Sequence, residues 1–136
     1  MGKESYLVTK THQWYDPGTG RVGITDYAQE QLGEISFVDV EGIEGATLTQ
    51  VQMSGDEPTS DPIDCVVESS KAVGDIYSPL SGTVKEVHSD LMDEPEKLNE
   101  DPYGEGWLFA LDPSNLDGEK GNLLSMADYE AWVASK

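Results

Sequence analysis

One run of this sequence sets a lysine where a chain reversal belongs: Cys65-Val66-Val67-Glu68-Ser69-Ser70-Lys71-Ala72-Val73-Gly74-Asp75-Ile76-Tyr77-Ser78-Pro79. A side chain at the tip of a tight hairpin stands on a rigid stem, which suits an amine that an enzyme must reach and load with a bulky group. A plain solvated turn lysine fits the same position, and turn geometry alone leaves both readings open. Schiff-base chemistry does not suit it, because that role wants a desolvated amine. Elsewhere the reactive residue types are dispersed. His12 and His88 lie far apart with no metal-ligand spacing, so no metal site is expected. Cys65 alternates with Val67 on a strand-like run and reads as a small core residue rather than a reactive thiol. No Ser/His/Asp, Cys/His or paired-carboxylate arrangement carries a local signature, so the chain is not expected to be an enzyme.

The elements that must position Lys71 are mostly short strands. Tyr6-Leu7-Val8 and Arg21-Val22-Gly23-Ile24 read as a hairpin around the turn Asp16-Pro17-Gly18-Thr19-Gly20. Thr25 is an N-cap for a two-turn helix over residues 26–32, with Gly33 as its stop. Residues 34–40 alternate through Ile35 and Phe37, then through Val38 and Val40, which predicts a bulge or twist between Phe37 and Val38. A strand over residues 47–53 leads into a polar loop over residues 54–62, punctuated by Gly and Pro. Residues 64–69 and 75–78 are expected to pair around the lysine turn, before Pro79-Leu80-Ser81-Gly82 reverses the chain into a strand over residues 83–87. Ser125 caps a terminal helix whose apolar face is Met126, Tyr129, Trp132 and Val133, packed on the outside. Short strands and frequent turns favour a small sandwich or barrel.

Composition sets the outer bounds. The 136 residues suit one domain with a modest core, and no apolar run approaches the roughly 18 residues of a membrane span. Eight basic against 27 acidic residues give a net charge of −19, which repels phosphate backbones, so neither nucleic acid nor a membrane is an expected partner. Because the acids are spread along the whole chain, they read as a solvated coat more than as one docking block. The N-terminus lacks the pattern of a secretory signal and the single cysteine has no intramolecular partner, so a reducing cytoplasm is the expected location.

The residues around Lys71 carry a resemblance. Glu68-Ser69-Ser70-Lys71-Ala72 followed by Asp75-Ile76-Tyr77-Ser78-Pro79-Leu80-Ser81-Gly82 resembles the lipoylation segment of glycine cleavage system H proteins. Further matching blocks are Thr11-His12-Gln13-Trp14, Val22-Gly23-Ile24-Thr25-Asp26-Tyr27-Ala28-Gln29, Leu32-Gly33, Phe37-Val38, and Asn99 through Asp101-Pro102-Tyr103-Gly104 to Gly106-Trp107-Leu108. They run in family order across nearly the whole chain. The resemblance implies a mainly β, barrel-sandwich hybrid fold of the biotinyl and lipoyl kind, with short N-terminal and C-terminal helices, as one carrier domain over residues 1–136. It implies lipoic acid held through an amide on Lys71, with Glu68, Ser69 and Ala72 recognised by a lipoate-protein ligase or lipoyl synthase. An arm cleft at Gln13, Trp14 and Asp75 and reoxidation by a dihydrolipoamide dehydrogenase are implied as well.

Two departures bear on the cargo. H proteins usually carry a glutamate where this chain has Gln13, and a neutral amide binds an ammonium less strongly than a carboxylate does. The connection from Ala46 to Val67 is also longer than in most of the family. Together these features are similar to the H-like lipoate-binding proteins of heterodisulfide-reductase-type sulfur oxidation. The expected cargo is therefore a sulfur substrate exchanged with a heterodisulfide-reductase-like complex. The alternative is the aminomethyl group passed between glycine decarboxylase and aminomethyltransferase. Further alternatives are a lipoyl relay and an unmodified interaction module.

Overall fold

A computed structural model describes residues 2–136. Its strands are β1 (Leu7–Val8), β2 (Gln13–Tyr15), β3 (Arg21–Ile24), β4 (Ile35–Asp39), β5 (Thr47–Leu48), β6 (Met53–Ser54), β7 (Glu57–Pro58), β8 (Val66–Ser69), β9 (Val73–Asp75), β10 (Gly82–Val87), β11 (Phe109–Pro113) and β12 (Leu124–Ser125). The helices are α1 (Asp26–Leu32), α2 (Lys97–Glu100), α3 (Leu116–Glu119) and α4 (Met126–Ala134). One antiparallel sheet runs β12-β1-β2-β3-β11-β10-β5, a second runs β4-β8-β9, and β6 and β7 pair by themselves. The inner faces of the two larger sheets share one core, in which Val22, Ile24 and Leu111 of the first meet Ile35, Val38 and Val67 of the second. This is the mainly β, barrel-sandwich hybrid architecture with short added helices. Among the described residues no helix is long and apolar enough to cross a membrane.

Side-chain caps set the helix limits. The Thr25 hydroxyl accepts the Ala28 N–H at 3.2 Å to open α1, and Ser125 accepts the Asp128 N–H at 3.1 Å to open α4. The turn at residues 16–20 forms as expected, with Gly20 N–H donating to Asp16 O at 2.7 Å, but the strand it returns from is β2 rather than β1. β1 pairs with β2 on one side and with β12 on the other, so the expected direct hairpin of residues 6–8 with residues 21–24 is replaced by a three-strand meander. The slip in β4 comes one residue early. The register breaks between Ile35 and Phe37, so Ser36 bulges, Phe37 turns outward and Val38 turns into the core. Residues 54–62, expected as loop, contain part of the β6–β7 hairpin.

A second aromatic core lies at the α4 end, where Tyr6, Trp14, Trp107, Met126 and Tyr129 pack together. Tyr6 stacks on Trp14 with centroids 4.7 Å apart. The Trp14 indole N–H is shared between Ile24 O at 2.9 Å and Pro102 O at 3.0 Å. Gly23 faces this ring across the strand pair, and a Cβ there would stand 2.6 Å from the indole, so no larger residue fits.

Candidate functional site

β8 and β9 form a hairpin around the lysine turn, with Glu68 opposite Val73 and Val67 opposite Gly74, but the second strand occupies residues 73–75 and not the expected 75–78, so the turn is tighter than the sequence suggested. Ser69 shapes its tip. Its hydroxyl donates to Leu32 O at 2.5 Å and accepts from the N–H groups of Ala72 at 3.1 Å and Lys71 at 3.3 Å. Leu32 O is one of the carbonyls a helix leaves open in its last turn, so the end of α1 and the hairpin tip complete one another. Lys71 is exposed, and its stem crosses Gly33, where a Cβ would lie 2.9 Å from Lys71 Cε. Glycine is required there by a φ of +87°, whereas the flexible lysine end could move aside from a Cβ. Asn99 fixes the same corner. Its amide donates to Gln29 Oε1 at 2.8 Å and to Gly33 O at 2.9 Å, while its carbonyl accepts the Ile35 N–H at 2.8 Å.

A cleft of about 310 Å³ runs between α1, β2 and β9, and its Leu32 wall adjoins the Gly33 that the Lys71 stem crosses. Ile24, Ala28, Leu32 and Ile76 give it apolar walls, and Thr11, Gln13 and Asp75 give it polar ones. Gln13 is 1% exposed and tightly oriented. Its backbone N–H donates to Thr9 Oγ1 at 3.0 Å, the two threonine hydroxyls lie 2.7 Å apart, and the Thr11 hydroxyl donates to Gln13 Oε1 at 2.5 Å. That last distance suits O–H···O and is short for N–H···O, so the amide carbonyl belongs on the threonine side. Among the described residues Gln13 Nε2 has no partner, so the amide presents its N–H groups to the cleft it lines. A second cavity of about 390 Å³, bounded by residues 9–10, 50–53, 55 and 121–124, contains none of the expected site residues. The one ionisable group on its wall, the Lys10 ammonium, is paired with Asp56 at 2.7 Å.

His12 also borders the cleft and holds a φ of +76°, rare for a side chain with a Cβ. Its Nδ1 lies 2.7 Å from the Tyr129 hydroxyl, which lies 2.7 Å from the Thr25 hydroxyl that caps α1. Burial, with help from the nearby Lys136 charge, pushes the imidazole pKa down to about 4, so it is neutral at pH 7. Tyr129 then donates to Nδ1 and accepts from Thr25. Its own ionisation is pushed well above the usual range, by burial first. Helix α4 thus braces the cleft wall and the start of α1 through one hydroxyl.

The structure gathers Gln13 and Asp75 into one cleft beside Lys71 and leaves Trp14 out of it. Successive residues of a strand face opposite ways, so Gln13 at the cleft commits Trp14 to the aromatic core. Trp14 is therefore corrected from an arm-cleft residue to a packing residue. Ser69 and Ala72 are bonded to one another inside the turn, Ser69 N–H to Ala72 O at 2.9 Å, whereas Glu68 lies on the outer face. Cys65 is buried, and desolvation followed by the Asp39 and Asp64 charges pushes its thiol up to about 12. Sequence reasoning gave Thr11, His12, Gly33 and Asn99 no role at the site, although all four stand in the blocks that carried the resemblance.

The family model of the glycine cleavage H-protein matches residues 6–136. The chain is 40% identical over 136 residues to the probable glycine cleavage system H protein of Pyrococcus abyssi, covering 98% of this chain and 92% of that one. It is 42% identical over 125 residues to that of Halobacterium salinarum, covering 92% and 90%. The crystal structure of a glycine cleavage system H protein from Mycobacterium marinum superimposes with a TM-score of 0.76 at 32% identity, covering 96% of this chain and 98% of that one.

Proposed function

The chain belongs to the glycine cleavage H-protein family of non-catalytic lipoyl carriers, and from that premise we propose that it is the aminomethyl carrier of a glycine cleavage system. Its single domain, residues 1–136, bears lipoic acid on Lys71 and exchanges cargo with glycine decarboxylase and aminomethyltransferase. A lipoate-protein ligase or lipoyl synthase installs the arm, and a dihydrolipoamide dehydrogenase reoxidises it. The observation that carries this reading is the Lys71 tip, pinned through Ser69 to α1 at the mouth of a cleft containing Gln13 and Asp75. The sulfur cargo expected from the sequence gains no support from the relatives, whose names all concern glycine cleavage.

The cleft fits such an arm. The lipoyl group supplies a dithiolane that, once reduced, offers thiols for carrying cargo and for redox exchange. The apolar walls at Leu32, Ala28 and Ile76 suit an aliphatic chain tethered at Lys71, and the polar end suits its cargo. Asp75 is the one acidic residue along this cleft; its side chain starts from the outward face of the edge strand β9 and turns over that edge to pair with the ammonium of an aminomethyl group. Thr11 holds the Gln13 carbonyl away, leaving amide N–H groups facing the same space. The cleft therefore grips an ammonium with one acidic group and releases it more readily than a two-carboxylate cleft. The unpartnered Nε2 is also the feature that favours a cargo rich in hydrogen-bond acceptors, as a sulfur oxoanion is.

Glycine–bicarbonate exchange by a glycine decarboxylase tests the proposal, using protein whose intact mass shows one lipoyl adduct. Exchange at a rate comparable with another H protein supports the aminomethyl role. No exchange from fully lipoylated chain would remove it and favour the sulfur cargo.

A further inference from the structure

Helix α1 forms one wall of the arm cleft through Tyr27, Ala28, Gln31 and Leu32, yet none of its seven residues is fully buried. Its hold on the core is limited to the partly buried Ala28 and Leu32. A helix of two turns is not stable by itself in water, so its position depends on what grips its ends. Ser69 on Leu32 O and Asn99 on Gln29 and Gly33 hold the C-terminal end. At the other end the Asp26 N–H donates to the Tyr103 hydroxyl at 3.0 Å, the Thr25 N–H donates to His12 O at 3.0 Å, and the Thr25 hydroxyl is bonded to Tyr129.

With His12 neutral, the hydroxyl bonds form one directed chain. Ala28 N–H donates to Thr25 Oγ1, Thr25 O–H donates to Tyr129 Oη, and Tyr129 O–H donates to His12 Nδ1. Each hydroxyl accepts once and donates once, so every proton has one place to go and the bonds strengthen one another. The chain starts in the first turn of α1 and ends on the opposite wall, where His12 stands beside Thr11 and Gln13. Tyr129 itself is 2% exposed, packs in the aromatic core and lines no part of the cleft. We propose that Tyr129 is a positioning residue that sets the spacing of the two cleft walls and thereby how long the loaded arm keeps its cargo. The inference rests on the aminomethyl reading of this cleft. The backbone bond from Thr25 to His12 joins the same two walls at one point, and the second link through Tyr129 removes the freedom to swing about it. Without that link α1 pivots on the end that Ser69 and Asn99 hold, and water reaches the cargo.

The test compares two substitutions that each delete one hydroxyl from the same aromatic core. Tyr129→Phe breaks the chain between the walls, whereas Tyr6→Phe removes a bond to Tyr103 O and touches neither wall, so it controls for lost stability. Full-length chain, lipoylated at Lys71 and loaded with glycine and a glycine decarboxylase, is freed of enzyme, and loss of the cargo is followed by intact mass. Tyr129→Phe is expected to lose it about fivefold faster than wild type, the equivalent of one hydrogen bond, and Tyr6→Phe at the wild-type rate. In the unmodified chain, amide exchange at Ala28 and Gln29 should speed up by about the same factor in Tyr129→Phe, while Ile35, bonded to Asn99 beyond the held end, exchanges as before. The imidazole nitrogen shifts of His12 supply a signature that packing alone does not move, since Nδ1 is an acceptor in wild type and loses its donor in Tyr129→Phe. Equal cargo loss in wild type and Tyr129→Phe, or equal acceleration in both variants, would overturn the inference and leave the carrier reading standing. Wild type that takes up no cargo would overturn both.

Discussion

In the β4-β8-β9 sheet, Phe37 and Val73 stand in solvent, whereas around β1, β2 and α4 the large aromatic side chains Tyr6, Trp14, Trp107 and Tyr129 are all buried. Both regions combine short strands with a nearby helix, yet one end of the molecule keeps its apolar surface for itself and the other leaves part of it exposed. The aromatic end also holds its polar atoms to account, since the Trp14 indole N–H and the Tyr6 and Tyr129 hydroxyls all have partners. The cleft between the two ends contains the exception, Gln13 Nε2. Stability and exchange with partners are thus assigned to different parts of one small fold, and substitutions should separate them.

The sharpest separation is expected from Lys71→Arg, which should abolish the lipoyl adduct in intact mass while leaving the thermal midpoint unchanged, because the tip touches no core. A lipoyl adduct retained in that variant would sink the attachment assignment. Trp14→Ala should do the converse, costing about 3–5 kcal/mol in denaturant unfolding through the lost ring contacts and the cavity left behind. Ser69→Ala crosses the boundary between the regions. It removes the hydroxyl joining Leu32 O to the turn, and a loss of about 1–2 kcal/mol is expected together with slower lipoylation, since the lysine is no longer held in place. Normal lipoylation of Ser69→Ala would show that the pin is not needed for presentation.

Smaller effects are expected in the cleft. Gln13→Glu keeps the bond from Thr11 and turns a carboxylate oxygen toward the cargo, so aminomethyl-loaded protein should lose its cargo about fivefold more slowly. An unchanged rate would mean that the cargo does not reach this wall. His12 supplies a pH signature. Its folded pKa near 4 lies below the ordinary 6.5, so the unfolded chain binds the extra proton first as pH falls. The stability it contributes is complete above about pH 6.5 and is lost progressively toward pH 4. His12→Asn tolerates the left-handed backbone and removes the titration, so the difference in unfolding free energy between wild type and variant should change across that window and be flat above it.

Features written in local chemistry were the ones legible in the sequence. Thr25 and Gly33 bounded α1, Ser125 opened α4, and the Gly and Pro residues of 16–20 marked their turn, because each depends on its immediate neighbours. β2 escaped because Gln13, Trp14 and Tyr15 are all buried and show no alternation; the partners that bury the amide and the indole lie on both sides of the strand. β6 and β7 escaped because two-residue strands rich in turn formers have no periodicity to read. The bulge at Ser36 was placed one residue late, since pattern alone cannot say which of two apolar neighbours yields to solvent. Lys71 stood out by its place in a turn, Gln13 and Asp75 only through resemblance, and only the fold shows that α1 closes a cleft around the latter two. Ser69 binding Leu32 across 37 positions, and Tyr129 binding His12 across 117, have no local trace at all.

Cys65 gives the molecule an experimental convenience. It is the chain's single cysteine, 5% exposed, with a thiol that ionises near 12, so alkylating reagents at neutral pH find almost no thiolate in the polypeptide. Any thiol they count on the folded, loaded protein belongs to the arm. The unloaded protein serves as its own blank, and the oxidation state of the carrier can be followed in a mixture of enzymes without engineering a residue out.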